Sequence, residues 1–124
     1  MKTFIVAVNI TLFLALGCAG SYPPPTQQMA DVQAADRSAV ELGAQANPKA
    51  QLHLKLAEEQ LALAKTAMDD DDNKVATGLL ARAKADAELA IALTREESAK
   101  TSAHKAVDQS NAERSRNAEP GVTQ

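Results

Sequence analysis

The sequence predicts an all-α protein. Its body is expected to be a small up-down-up bundle of three antiparallel helices with alanine-rich seams, behind a cleaved export leader. Three observations carry this expectation. Twenty-six of the 124 residues are alanine, the strongest helix former. No aromatic residue follows Tyr22 and there is no Trp, so the side chains that favour strands are scarce. Apolar residues recur in alternating steps of three and four over three successive stretches, the spacing of helices that pack on helices. A chain of 124 residues has room for one small domain.

Residues 1–17 come first. Lys2 gives a positive start, Phe4 to Leu16 is apolar except for Asn9 and Thr11, and Gly17 is small. That order is the pattern of a secretory signal. The apolar run is shorter than the ~20 residues a membrane-spanning helix needs. Cys18 is the only cysteine, so no internal disulfide is available.

Leu14-Ala15-Leu16-Gly17-Cys18 resembles the bacterial lipobox. The usual Leu three residues before the cysteine is here Ala15, with Leu14 and Leu16 on either side. The resemblance implies cleavage between Gly17 and Cys18, a diacylglycerol on the Cys18 thiol, and an acyl chain such as palmitate on the new amine. Each buried methylene contributes about 0.8 kcal/mol, and stable anchoring takes more than one chain. Ala19 follows the cysteine where inner-membrane lipoproteins carry Asp. Within the lipoprotein class this implies the periplasmic face of the outer membrane, in a Gram-negative host. No cofactor is expected beyond the covalent lipid on Cys18. Residues 18–26 then form a Pro-rich tether: Pro23-Pro24-Pro25 favours extended polyproline.

The body is expected over residues 27–100. The first helix, from about Gln28 to Ala44, carries Val32, Ala35, Ala39, Leu42 and Ala46 on its seam, and Gly43 is its stop. Asn47-Pro48 opens the second, since Asn caps free amides and Pro suits the first helical position. Its seam is Ala50, Leu54, Ala57, Leu61, Ala64 and Met68. Asp69-Asp70-Asp71-Asp72-Asn73 oppose a helix dipole at a C-terminus and favour one at an N-terminus, so the second helix ends near Met68 and the third begins near Asn73. The third seam is Ala76, Leu80, Ala83, Ala87, Ala90 and Thr94. Facing alanines let helix axes approach toward the short end of the ~8–10 Å range. Residues 101–124 are expected as a polar helical extension, and from about Asn117 as a disordered tail.

Leu52, Leu56 and Leu63, with Ile91 and Leu93, lie beside the seams as a second apolar stripe. They are expected to be core shared with the first helix, or else a surface for a partner or for self-association.

Gly43-Ala44-Gln45-Ala46-Asn47-Pro48, Ala50-x-Leu52, Ala57-x-x-Gln60-Leu61-x-x-Ala64 and Leu80-Ala81-x-Ala83-x-Ala85-Asp86-Ala87-x-x-Ala90 together resemble the DUF4398 domain. This small helical domain occurs in bacterial envelope lipoproteins, sometimes joined to an OmpA-like peptidoglycan-binding domain. The resemblance implies the helical fold and an envelope location, and no activity. No OmpA-like, peptidoglycan-binding domain is expected in these residues.

Other chemistries fit poorly. Net charge is −3 and falls to −4 without the leader, which opposes binding to nucleic acid or an anionic membrane patch. An EF-hand loop starting at Asp69 would place Lys74 where Gly is needed and Leu80 where Glu is needed. His53 and His104 are the only histidines and lack the companions of a zinc site. No catalytic set can be named, so no enzyme is expected. The expected role is an envelope interaction lipoprotein, with a carrier for an apolar ligand or client in a Leu-lined groove as the alternative.

Overall fold

The structure, a computed structural model, describes residues 21–118. Residues 1–20, with the expected leader, Gly17 and Cys18, and residues 119–124 lie outside the described residues. The protein is all-α: α1 is Thr26–Glu41, a 3-10 turn spans Ala44–Ala46, α2 is Pro48–Asp69 and α3 is Asn73–Ala118. There is no strand among the described residues.

α1 begins two residues before the expected Gln28. The Pro25 carbonyl accepts from the Met29 amide at 3.0 Å, which opens the first turn. Its end also differs from the expected Ala44. Gly43 sits at φ 90°, in the left-handed region, and its amide bonds the Val40 carbonyl at 2.9 Å. Glycine adopts that conformation without a steric penalty, so the helix stops at Glu41. Leu42 and Ala46, expected on the seam, therefore fall beyond the helix and are exposed, Leu42 at 42%. Ala44 in the 3-10 turn is buried in their place.

α2 starts as the sequence expects. The Asn47 side-chain oxygen accepts from the amides of Lys49 (3.0 Å) and Ala50 (3.3 Å), with Pro48 in the first helical position. Asn47 Nδ2 also donates to the Leu93 carbonyl at 3.3 Å, tying this cap to α3. Asn47→Ala is expected to cost about 1 kcal/mol. In a domain this small that lowers the thermal midpoint by roughly 4–8 °C, read by circular dichroism. An unchanged midpoint would show that the cap is idle.

The acidic turn closes α2 at Asp69. Asp71 takes φ 58°, and the Asp72 amide bonds the Ala67 carbonyl at 2.8 Å. Aspartate tolerates the left-handed region better than most residues.

α3 has 46 residues and is about 69 Å long at 1.5 Å per residue. Asn73, Ala76, Leu80, Ala83, Ala87, Ala90 and Thr94 are buried, as the third seam expects. From Arg95 to Ala118 every residue is exposed. The helix continues through Asn117 and Ala118, and the rest of the expected tail, residues 119–124, lies outside the described residues.

Two clusters make the core. One joins Val32, Leu61, Ala64, Leu80 and Ala83, with Met29 and Leu79 against it. The other joins Ala39, Ala44, Ala50, Leu54 and Ala90, with Ile91 and Leu93 against it. The main packing is α2 on α3, and α1 lies more on α3 than on α2.

Candidate interaction surface

Helical spacing gives the α2–α3 pair two flanks, one on each side of its seam. α1 covers one. Gln28 and Asp31 of α1 share a crevice with Leu80, Ala81 and Lys84 of α3. Asp36 of α1 is close enough to Glu58 of α2 for their charges to interact.

The other flank is open. There His53 Nδ1 and Asp86 Oδ1 lie 2.8 Å apart, and Gln60 Nε2 donates to Asp86 Oδ2 at 2.8 Å. These three half-buried residues tie α2 to α3 without α1. Both Asp86 oxygens are engaged, whereas Gln60 Oε1 is shielded from solvent and unpartnered.

The predicted leucine stripe divides on this geometry. Leu56 is half-buried on the open flank, and Leu52 and Leu63 stand beside it, 56% and 58% exposed. Helical spacing puts Leu93 on the same flank, half-buried against the core. Leu89 and Val75 of α3 are exposed at positions that continue this side. Ile91, two residues from Leu93, lies about 200° round the helix and faces the flank that α1 covers. The five residues therefore do not form one stripe. Ile91 belongs to the α1 side, Leu56 and Leu93 border the open flank, and Leu52 and Leu63 are its outer rim.

Asp36 is the least comfortable charge in the body. Its Oδ1 is closed off from solvent and has no hydrogen-bond partner. Burial, and then the Glu58 carboxylate, push its pKa up to about 6. A carboxyl with a raised folded pKa stabilises most fully below its unfolded value near 3.8, and the contribution is lost as pH rises through about 6. Solvent reaching the half-exposed carboxyl reduces the effect to about 1 kcal/mol. Asp36→Asn is thus expected to raise the melting midpoint at pH 7 and to leave it nearly unchanged at pH 4. Equal shifts at both pH values would contradict this reading.

The remaining sequence candidates do not gather into a site. His104 is exposed on α3, beyond the packed body. Among the described residues no three His, Cys, Asp or Glu side chains converge. At the base of the exposed segment Lys100 Nζ and Glu96 Oε1 pair at 2.6 Å, and this hydrogen bond holds the Glu96 carboxyl below the usual carboxylate range. No described helix is long and apolar enough to cross a membrane.

The family model of DUF4398, a domain of unknown function, matches residues 27–106. The chain belongs to the DUF4398 family. No curated protein and no solved structure matches it. The DUF4398 match contains both core clusters and the whole open flank. Sequence reasoning missed the His53–Gln60–Asp86 group. Its trace was the seven-residue step from His53 to Gln60, which placed both on one edge of α2. Partners across two helices leave no such periodic mark.

Proposed function

We propose that this DUF4398 chain is a lipid-anchored interaction module of the bacterial envelope, working by contact and not by catalysis. Cys18 carries the acyl anchor after cleavage behind Gly17, and the protein sits on the periplasmic face of the outer membrane. The body is an up-down-up bundle. The order of contacts supports this: Val32 meets Leu61 and Leu80, whereas Ala39, two turns on, meets Leu54 and Ala90.

The observation that carries the reading is the open flank. Leu52 and Leu63 stand in water on one side of α2, while α1 occupies only the opposite side of the pair. Neighbouring apolar side chains beside a polar floor suit a protein partner. Photocrosslinkers at positions 52 and 63 in intact cells are expected to trap one envelope protein, and crosslinkers at positions 51 and 65 are expected to trap much less. Equal capture at all four positions, or many dissimilar products, would defeat the reading.

The anchor is tested separately. Cys18→Ser is expected to move the protein from the membrane fraction to the soluble fraction. Unchanged membrane fractionation, or a mature chain without acyl groups by mass spectrometry, would end the anchoring claim.

A further inference from the structure

We infer that the anchored molecule stands upright on the membrane, with the acidic turn Asp69–Asp72 nearest the bilayer and the segment Arg95–Ala118 directed away from it as a stand-off arm. This inference rests on the acylated Cys18 and the up-down-up arrangement proposed above.

The position of the anchor follows from the start of the described chain. Tyr22, Pro23, Pro24 and Pro25 line a crevice with Gln28 and with Thr77, in the first turns of α3. The proline segment therefore lies along the body and does not stand off from it. Only Ala19 and Gly20 separate Cys18 from Ser21. Three residue steps span at most about 10 Å. The lipid is thereby confined to the end of the molecule where α3 begins.

The far end follows from the length of α3. Its residues from Arg95 onward add about 36 Å beyond the packed body. The whole helix, begun at the anchored end, carries Ala118 about 69 Å from Asn73.

Charge and polarity oppose the alternative, in which the arm lies on the lipid. A helix that settles in a membrane interface needs a broad apolar face and usually a basic polar one. The arm has neither. Val107 is its one large apolar residue, and its five basic residues are nearly balanced by Glu96, Glu97, Asp108 and Glu113. What the arm touches is therefore in the aqueous space several nanometres from the bilayer.

The chain contains no Trp, so single-Trp variants give one donor each. The full chain would be made in bacteria, checked for acylation by mass spectrometry, and reconstituted in phosphatidylethanolamine–phosphatidylglycerol vesicles. Energy transfer to a dansyl-labelled headgroup would then be read. Asp70→Trp is expected to lose most of its donor emission, and Asn117→Trp almost none. Both sites are exposed, and circular dichroism would check that the helices persist. Strong transfer from Asn117→Trp, or equal transfer from both variants, overturns the upright orientation while leaving the anchor intact. A chain without acyl groups overturns the orientation together with the anchor on which it rests.

Discussion

Leu80→Asp is expected to abolish the cooperative thermal transition of the helical body at neutral pH. Leu80 is 1% exposed and packs with Val32, Leu61, Ala64 and Ala83, so all three helices meet at its side chain. Truncating such a leucine to alanine costs about 2–5 kcal/mol. An aspartate there adds a carboxylate among apolar side chains, where a buried charge is costly. The rest of the core is poor in reserve. Among the described residues, Leu54, Leu61, Leu80 and Val32 are its only buried apolar side chains larger than alanine. Domains of this size have little stability to lose. Leu80→Ala is the graded control, expected to lower the midpoint by roughly 10–25 °C. A Leu80→Asp melt superimposable on the native one would mean that the two core clusters do not hold the helices together.

Ala83→Leu is expected to be nearly as damaging, for the opposite reason. Ala83 has no exposure and packs in one cluster with Leu61 and Leu80. Ala57, Ala64, Ala76, Ala87 and Ala90 are equally enclosed. At these alanine positions the seam has no space between axes for a branched side chain. Overpacking of this kind costs about 1–3 kcal/mol. Here α2 and α3 would have to separate along much of their contact, which places the loss near the upper end. The contrast is Ala85→Leu, on the exposed side of α3. It is expected to change stability by a few tenths of a kcal/mol at most. If the two leucines were equally tolerated, close approach along the alanines would not be what sets this interface.

These two expectations show which parts of the fold were legible in the residues. All of the α3 seam through Thr94 is buried, and so is the α2 seam except its last member, half-buried Met68. Local periodicity is enough for that, because a helix commits one face to its neighbour wherever the neighbour lies. Asn47-Pro48 and the aspartate turn were legible for the same reason, since a cap acts on amides within three residues of itself. The end of α1 was less legible. Leu42 has the right step from Ala39, but Gly43 reverses the backbone one residue later.

The surface was read less well than the core. Leu56, Leu63, Ile91 and Leu93 are alike in hydropathy, yet one flank of the α2–α3 pair is covered and the other is open. The sequence alone determined that this chain is helical, where its turns fall, and which face of each longer helix is buried, because all of these are settled within a few residues. Only the tertiary structure decided which side α1 covers, that Asp86 is shared by His53 and Gln60, and that Asp36 is enclosed near Glu58. Those depend on contacts between residues more than twenty positions apart, where packing geometry chooses among faces that local spacing leaves equivalent.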